Sequence, residues 1–446
     1  MKRLLPVLIS MYLLLPAACD NNGDAGPGGT DTPAPAEDTA EPDTIETDTV
    51  PDATEDTAPP EDLIPEDQVP WDLDPDPGCN GDFCAAGPDH APNPAEWGPF
   101  PVGVTTMTVD LLDNEGKPRS LRVEIWYPTT EDFRDGPFEE INIYKDAPDE
   151  YKPYIEVAKD EVPSIETKAV RDSPVRRGDG PYPIVLFSHG AYGVRYQSVF
   201  FTIPLASHGY IVASMDHPGN TLYDILAFGY DLDVVVMSAM DRPTDAIMTL
   251  TAVTHRNEVP DDPFYKSMIT NQIGMSGHSF GGFLSLLMGS LDPRVKAIIP
   301  MSPASGWLDL MGYPPTELKI PTMLMGGLMD KTLSPDQDLL PLWPKLPPPK
   351  GFLRFHTGGH YTFSDICSLD LIKVADILDF GDAEDALEDG CGEDNLPVAI
   401  AHPLINQMGI GFFNYYLRGS TGSLQYFDQA AGEPWTDEML YDWVGE

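Results

Sequence analysis

The pentapeptide GHSFG, Gly277–Gly281, has the residues and the spacing of a nucleophile elbow, a tight turn that presents a serine between a strand and a helix. An apolar stretch precedes it, and small and apolar residues follow it up to Gly289. The glycines two residues either side of Ser279 let neighbouring backbone approach without a Cβ clash. Because a free serine hydroxyl is a poor nucleophile, the pattern predicts a histidine base, a carboxylate that orients it, and donors for an oxyanion.

Candidates for the acid and the base follow two later predicted strands. Asp330 comes after the apolar run PTMLMGG, and His360 comes after GFLRF and two glycines. We expect His360 to accept the proton of Ser279, and Asp330 to fix the imidazole tautomer and stabilise its charged form. Asp336, later in the same loop as Asp330, is the alternative acid, and Ser276 is the alternative nucleophile.

The oxyanion donors are expected on two loops. One is the N–H of Phe280, directly after the nucleophile, and the other is the N–H of Ala191, in the loop after PIVLFSHG. Aromatic and methionine side chains beside the catalytic loops are candidate substrate contacts, with core packing as the alternative for each. These candidates are Tyr192, Tyr196, Phe280, Trp307, Met329 and Tyr361. Among other histidines, His189 is expected to shape the oxyanion loop, and His208, His217 and His255 to have surface or capping roles.

Strands and helices that alternate along the chain must position these loops. The pattern predicts an α/β fold with a mostly parallel sheet, helices on both faces and an antiparallel hairpin at its start, from PVGVTTMTVDLL and SLRVEIWYP. Functional residues then lie at the carboxyl ends of strands. The other predicted strands are Pro183–Ser188, Tyr210–Met215, Gln272–Met275, VKAIIPMSP, Pro321–Gly327 and GFLRF; the predicted helices are Ser198–His208, Arg242–His255 and Val398–Leu417, besides the one after the elbow. Residues 221–240 are apolar and aromatic and are candidates for a cover over the site.

The amino terminus predicts export. Residues 1–18 combine a basic start, an apolar run and small residues directly before Cys19, as in a bacterial signal peptide. Cysteine after small residues resembles the lipobox of bacterial lipoproteins, although Pro16 stands where Leu is usual. We therefore expect a lipid on Cys19 that anchors the protein to a membrane of the cell envelope, facing the periplasm or the cell surface. Without that lipid, the protein would be secreted.

Residues 19–88 are predicted to be a disordered tether, and residues 89–446 the folded domain. The stretch from Asp20 to Gly78 contains no Lys or Arg and too little apolar surface to offset its ordering entropy. A specific acidic binding arm is the alternative. The formal net charge of -46 argues against nucleic acid and anionic lipid surfaces as partners. Beyond the signal peptide, no continuous apolar run is long enough for a membrane span.

Four further cysteines are expected to form disulfides in an oxidising compartment. The simplest pairing joins Cys79 to Cys84 and Cys367 to Cys391, although three connectivities are possible. A zinc site is the alternative, but the spacings lack paired C-x-x-C knuckles. A bridge from Cys367 to Cys391 would restrain the loop beside His360. No metal or cofactor is expected.

Five strings of the folded domain carry a family resemblance: VEIWYPT, VLFSHGAYG, LASHGYIVASMDHPGN, DRPTD and GHSFGG. Together they resemble the platelet-activating-factor acetylhydrolase and dienelactone-hydrolase-like branch of the α/β-hydrolases, over roughly Val102–Leu417. The chain order serine, acid, histidine is the one that α/β-hydrolases use. The resemblance implies hydrolysis of carboxylic esters without metal or cofactor, with Ser279 as nucleophile and with Phe280 and Ala191 as oxyanion donors.

The position of the acid departs from part of this family. The eukaryotic acetylhydrolases carry it after the strand that follows the nucleophile helix, but here that strand ends in Met301-Ser302-Pro303, and no carboxylate follows until Asp309. Asp330, one strand later, fits the bacterial polyester-hydrolase-like pattern. A serine in place of cysteine as nucleophile also argues against dienelactone hydrolase activity.

The sequence thus predicts a serine carboxylic-ester hydrolase of the cell envelope. It would act through a Ser-Asp-His triad and an acyl-enzyme on a short-chain, lipid or polyester ester. The alternatives are a catalytically inactive surface binding protein of the same fold, and an acyltransferase or peptidase on the same triad. All the candidate catalytic residues are present, which favours an enzyme, and no protein partner is implied.

Overall fold

The computed structural model describes residues 91–162, 164–369, 377 and 388–445. The predicted signal peptide, Cys19, the acidic tether and the Cys79–Cys84 pair lie outside these residues. The strands are β1 Val102–Leu112, β2 Pro118–Pro128, β3 Glu140–Asn142, β4 Ser164–Glu166, β5 Ala169–Arg171, β6 Tyr182–Ser188, β7 Ile211–Met215, β8 Met268–His278, β9 Val295–Met301, β10 Thr322–Gly327, β11 Lys350–Phe355 and β12 Met439–Val444.

Ten of these strands form one mixed sheet in the order β12-β11-β10-β9-β8-β6-β7-β2-β1-β5. The six strands from β6 to β11 pair in parallel. All seven residues of β6 are buried, as expected for a parallel strand that is covered on both faces. The β1–β2 hairpin joins one side of the sheet antiparallel to β7. Strands β3 and β4 form a separate antiparallel pair.

Helices cover both faces of this sheet. The α-helices are α1 Ile143–Asp146, α2 Lys152–Ile155, α3 Val199–Ser207, α4 Leu222–Phe228, α5 Leu232–Arg256, α6 Phe280–Leu291, α7 Gly306–Met311 and α8 Val398–Arg418. Short 3-10 helices span Glu131–Phe133, Glu156–Ala158, Arg177–Asp179, Pro315–Glu317, Trp343–Lys345, His360–Phe363, Asp365–Ser368, Thr421–Tyr426 and Gln429–Trp435, and a π-helical turn spans Pro335–Leu339.

Two neighbouring residues of β9 show how the layers are arranged. A Cβ added to Gly289 of α6 would lie 3.4 Å from Ile298 Cδ1, and one added to Gly409 of α8 would lie 3.3 Å from Ile299 Cδ1. Successive side chains of a strand point to opposite faces. Helices α6 and α8 therefore cover opposite faces of the sheet. The core consists of two apolar layers, one on each face of β6, β8 and β9.

The predicted α/β class, with a mostly parallel sheet and an antiparallel hairpin at its start, is confirmed. Several elements differ from the prediction, and the strands β3, β4 and β5 were not predicted. Helix α5 begins at Leu232 rather than near Arg242, because the Asp231 side chain caps it by accepting from the Asp233 N–H. Strand β12 was not predicted; it pairs antiparallel with β11 at the edge of the sheet. Residues 221–240, the candidate cover, include α4 and the first nine residues of α5.

Candidate active site

Ser279 occupies the sharp turn between β8 and α6. Its backbone has φ 58° and ψ −114°, a conformation that costs energy for a residue with a Cβ and that is found mostly at functional sites. A Cβ added to Gly277 would lie 2.4 Å from the Gly281 carbonyl oxygen, and one added to Gly281 would lie 1.9 Å from the Ser188 carbonyl oxygen. Both glycines are therefore required by close backbone contact, and they hold the serine at the carboxyl end of the sheet.

Asp330 and His360 meet at the same end of the sheet, after β10 and β11. His360 Nδ1 lies 2.8 Å from Asp330 Oδ2, and the side chains are each 3% exposed. The other oxygen of Asp330 accepts from the backbone N–H groups of Thr332, at 3.0 Å, and Leu333, at 2.7 Å. These bonds fix the carboxylate, which in turn fixes the imidazole. Among the described residues no side chain or backbone group bonds the His360 Nε2, the nitrogen that would act as the base.

The charges around His360 favour its protonated form. Burial lowers the pKa of His360, but the negative charge of Asp330 and its hydrogen bond outweigh burial, with further contributions from Asp389 and Asp338. The pKa of His360 is therefore raised above its usual value of 6.5. An imidazole in this setting is a stronger base than a free histidine.

Asp389 joins the acid loop to the base loop. One of its oxygens accepts from the His360 N–H at 3.1 Å. The other accepts from the N–H groups of Lys331, at 2.9 Å, and Thr332, at 2.8 Å. The predicted disulfide between Cys367 and Cys391 is confirmed, and it closes two residues after Asp389. Asp389 was not recognised from the sequence, where it is one acid among many in an acidic loop.

The loop after β6 lies beside the nucleophile. A Cβ added to Gly190 would lie 3.3 Å from the Ser279 Cβ. The Gly190 N–H is used, since it donates to Gln197 Oε1 at 3.0 Å. The next amide, that of Ala191, has no acceptor among the residues that the structure describes. Phe280 is the first residue of α6, where a backbone N–H has no partner within the helix. Within the described part of the chain, neither of the two predicted donor N–H groups has a hydrogen-bond acceptor.

A chain of hydrogen bonds links the three catalytic loops. Gln197 holds the Gly190 N–H with its oxygen, and its Nε2 donates to His278 Nδ1 at 2.6 Å. The opposite nitrogen of His278 then donates to the His360 carbonyl oxygen at 2.9 Å. Burial lowers the pKa of His278, as does the charge of His360, so the ring is neutral and can both accept and donate. The sequence places His278 in the elbow motif but gives no signal for Gln197.

A buried arginine lies under the oxyanion loop. Arg242 of α5 is fully buried; it donates to the carbonyl oxygens of His189, at 2.6 Å, and Gly190, at 3.0 Å. His189 Nδ1 donates to the same Gly190 oxygen at 2.6 Å, since its Nε2 accepts from the His217 N–H. Sequence reasoning missed Arg242, although the string DRPTD that contains it was part of the resemblance.

The prediction of surface or capping roles was wrong for His217, which is fully buried and lies between Ser188 Oγ, at 2.9 Å, and Asp245 Oδ2, at 2.7 Å. His208 is buried too, but it does cap a helix: its backbone N–H donates to the Pro204 carbonyl oxygen at the end of α3, and its Nε2 lies 3.0 Å from the Glu96 carbonyl oxygen. Burial is decided by contacts distant in sequence, which explains the error. His255, by contrast, is 69% exposed.

The candidate substrate contacts fall into two groups. Trp307, Met329 and Tyr361 lie near the catalytic loops: the Trp307 ring is 5.3 Å from the Phe280 ring, Met329 is 39% exposed beside the acid, and the Tyr361 ring is 5.4 Å from His360. The hydroxyls of Tyr192 and Tyr196 are engaged elsewhere. Tyr192 donates to the Asp231 carbonyl oxygen at 3.1 Å, and Tyr196 is buried against Tyr223.

The alternative catalytic residues have other surroundings. Ser276 is buried in β8 and donates to the Ile299 carbonyl oxygen at 2.8 Å. Asp336 is exposed on the π-helical turn, and Asp309 is exposed near Lys345. Within the described ranges, no group of three or more His, Cys, Asp or Glu side chains is arranged to hold a metal. Over the same part of the chain, no helix is long and apolar enough to cross a membrane.

With a ten-stranded sheet, helices on both faces and a serine turn after a central strand, the architecture is an α/β-hydrolase fold. Two family profiles match parts of the chain. The family described as platelet-activating factor acetylhydrolase, isoform II, matches residues 86–223, and the family described as PET hydrolase-like matches residues 184–377. The resemblance predicted from the sequence, to acetylhydrolases and polyester-hydrolase-like proteins, is confirmed.

Individual relatives agree with both profiles. The cutinase est2 of Thermobifida alba is 23% identical over 42% of this chain and 55% of its own length. A cutinase of Thermobifida cellulosilytica is 22% identical, over 42% of this chain and 63% of its own length. The platelet-activating factor acetylhydrolase of the dog is 44% identical over 12% of each chain. The chain therefore spans about half the length of the cutinases it matches.

One solved structure covers most of the chain. A ferulic acid esterase from Streptomyces cinnamoneus superimposes with a TM-score of 0.52, over 72% of this chain and 91% of its own, at 24% identity. At that identity the likeness concerns the fold, which it supports independently of the sequence motifs.

Proposed function

We propose that this protein is a serine carboxylic-ester hydrolase with Ser279 as nucleophile, His360 as base and Asp330 as acid. The observation that carries the proposal is the 2.8 Å hydrogen bond between His360 and Asp330, at the end of the sheet that also presents Ser279 on a strained turn. The similarity to cutinases and acetylhydrolases supports an ester as substrate.

The reaction follows from the roles of these groups. Ser279 Oγ attacks the acyl carbonyl carbon while His360 Nε2 takes its proton, and the carbonyl oxygen becomes an oxyanion that accepts from the Phe280 and Ala191 N–H groups. The intermediate collapses as His360 returns the proton to the leaving alcohol. Water, deprotonated by the same imidazole, then cleaves the acyl-enzyme and releases the carboxylic acid and Ser279.

Exposed apolar side chains favour an ester with an apolar acyl or aryl part. Phe280 is flanked by Trp307 of α7 and by Arg242 of α5, so both helices border the elbow. Each presents apolar side chains to solvent, with Leu310 62% exposed on α7, and Met240 50% exposed on α5. Solvent-exposed apolar groups of this kind suit a lipid or polyester chain as well as a short-chain ester.

Hydrolysis of p-nitrophenyl acetate, butyrate and octanoate by the whole chain tests the proposal, with Ser279→Ala as the control. We expect turnover that disappears in the variant, and a preference for the longer acyl chains. A fluorophosphonate should label the parent at Ser279 and leave the variant unlabelled. Absence of both turnover and labelling would refute the proposal in favour of a binding protein of the same fold.

We also propose that the enzyme is anchored in the bacterial cell envelope through a lipid on Cys19. The support is the sequence of residues 1–19 and the acidic, proline-rich segment that follows. Metabolic labelling with an alkyne fatty acid should mark the parent and not Cys19→Ala, and the variant should appear in the soluble fraction. Equal labelling of both proteins would contradict the anchor.

A further inference from the structure

Arg242 uses every N–H of its guanidinium under the oxyanion loop. Besides the carbonyl oxygens of His189 and Gly190, it donates to three side chains. Nε donates to Ser238 Oγ at 3.2 Å, Nη1 to Ser188 Oγ at 3.1 Å, and Nη2 to Asn220 Oδ1 at 2.9 Å. A guanidinium with five acceptors has its position and its plane fixed.

The bond to the Gly190 oxygen determines where the next N–H points. The Gly190 carbonyl and the Ala191 N–H belong to one planar trans peptide, in which the two groups point in opposite directions. Arg242 and His189 both donate to this carbonyl oxygen, as does the Gly193 N–H at 3.2 Å. The Ala191 N–H therefore points away from Arg242, and Ser279 lies beside Gly190 in the same loop. A cation on the carbonyl also polarises the peptide and strengthens its N–H as a donor.

A second serine–histidine–aspartate array holds Arg242 in turn. Ser188, His217 and Asp245, which we call the buried array, are each fully buried. Asp245 receives two bonds from Arg119, at 3.1 and 2.7 Å, and one from His217 Nδ1 at 2.7 Å. The opposite nitrogen of His217 accepts from Ser188 Oγ, which leaves the lone pairs of that oxygen for Arg242. The tautomer of His217 and the direction of the Ser188 O–H bond are therefore both fixed.

The positive and negative side chains around Arg242 and the buried array are equal in number. The cations are Arg242 and Arg119; the anions are Asp245 and Asp241, which accepts from Arg119 Nη1 at 3.0 Å. His217 stays neutral because burial and the two arginines lower its pKa. Burial lowers the pKa of Arg242 to about 9, so the guanidinium is still charged at neutral pH. The buried array is not exposed to substrate, and it can affect the reaction through Arg242, which contacts the oxyanion loop and the Phe280 ring of the elbow.

We infer that Arg242, held by the buried array, is a positioning residue that orients the Ala191 N–H toward the oxyanion. The inference rests on the proposed function, since it assigns a task within the same site. An amide that is turned away, or only loosely held, binds the ester ground state about as well but stabilises the transition state less.

Replacement of Arg242 by Lys tests the inference, because an ammonium keeps the charge and cannot reach all five acceptors. We expect kcat on p-nitrophenyl butyrate to fall by about 10- to 100-fold with KM nearly unchanged, since one misplaced oxyanion donor has effects of this size. Affinity for butaneboronic acid, which forms a tetrahedral adduct, should fall in parallel with kcat. Hydrogen exchange should become faster in the segment from His189 to Val194.

Ser188→Ala is the milder companion, because it removes only the hydroxyl that joins His217 to Arg242. It should show the same changes to a smaller degree, and it decides the question if Arg242→Lys does not fold. Arg418→Gln is the matched control: Arg418 is also buried, and donates to the Gly209 carbonyl oxygen and to Asn414 at a distance from the site. It should leave kcat and exchange in the His189–Val194 segment unchanged.

Two results would overturn the inference. One is unchanged exchange of this segment in the folded Arg242 variant, and the other is a higher KM with an unchanged kcat, which would make Arg242 a substrate-binding residue. Failure of the proposed function looks different: the parent would then neither hydrolyse esters nor react with a fluorophosphonate. Exchange measurements need no substrate, and they would still decide whether Arg242 positions the loop.

Discussion

Two serine–histidine–aspartate arrays lie within one hydrolase fold, and only one can meet a substrate. In the outer array His360 bonds Asp330 beside Ser279, which stands on a turn with positive φ. In the buried array, His217 bonds Ser188 at 2.9 Å and Asp245 at 2.7 Å. A histidine–aspartate hydrogen bond beside a serine therefore does not by itself distinguish a reactive serine from a structural one.

The two arrays differ in the charged groups that surround their histidines. Anions surround His360, and they raise its pKa above 6.5 against the effect of burial. Around His217 burial acts together with two arginines, and its pKa falls well below the same value. Arg119 already neutralises Asp245, whereas no arginine or lysine bonds the Asp330 carboxylate in the described residues. An imidazole is a useful base only where the resulting positive charge is stabilised.

Replacing each serine by alanine should separate the arrays most clearly. Ser279→Ala should lower kcat by about 10⁴- to 10⁶-fold, since the attacking group is lost. Ser188→Ala should lower it about tenfold at most, and Ser279 should still react with a fluorophosphonate, because the nucleophile and its base are untouched. Steady-state kinetics of the two variants provide the check. Equal losses with intact folds would remove the distinction between the arrays.

Replacing the aspartate of each array by asparagine should give the second-largest difference in kcat. Asp330→Asn should lower kcat by about 10⁴-fold, because the amide stabilises neither the required tautomer nor the imidazolium. Asp245→Asn affects the reaction only indirectly, through Arg242 and the residues that Arg242 contacts, so its loss of kcat should stay below about 100-fold. Acylation rates from single-turnover mixing measure both. A loss of 10⁴-fold in folded Asp245→Asn would mean that His217 takes part in the chemistry.

Loss of the Cys367–Cys391 disulfide should affect the outer array and leave the buried array unchanged. Cys367→Ser with Cys391→Ser opens a loop of 24 residues, and the free energy of unfolding should fall by about 3 kcal/mol. We expect lower kcat as well, since Asp389 and His360 lose a restraint. Urea unfolding and turnover of the double variant check this. Cys79→Ser with Cys84→Ser is the control, and unchanged stability and turnover on loss of the Cys367–Cys391 bridge would contradict the expectation.

Asp389→Asn should produce the smallest change, in the pH dependence. His360 must be neutral to accept a proton, so kcat/KM should fall as the pH drops through its raised pKa, above 6.5. The charge of Asp389 contributes to that increase, so its removal should move the acid limb to lower pH, with a plateau within about tenfold of the parent. Asp336→Asn, on the exposed turn, is the control and should leave the limb in place. A limb that moves upward in Asp389→Asn would contradict the electrostatic account.

The mostly parallel sheet and the placement of Ser279, Asp330 and His360 directly after strands were predictable because both depend on local patterns, whereas the order of the strands in the sheet was not predicted. Buried parallel strands are continuous apolar runs, and the loops at their carboxyl ends must meet at one edge of the sheet. The positions of Arg242, Gln197 and His217 were not predictable. Their partners lie far along the chain: Arg242 comes 54 positions after Ser188, and His278 comes 81 positions after Gln197. No local periodicity indicates which polar side chains a fold will bury.

The close contact between Gly281 and the Ser188 carbonyl limits how this protein can be diversified. A Cβ on Gly281 would lie 1.9 Å from that oxygen, so even alanine there would displace the end of β6, which carries both the buried array and the loop above it. Mutant libraries aimed at new ester specificities should leave this junction intact. Variation belongs on the outer rim, at Met329 and Leu310, whose exposed side chains can change in size without moving the backbone.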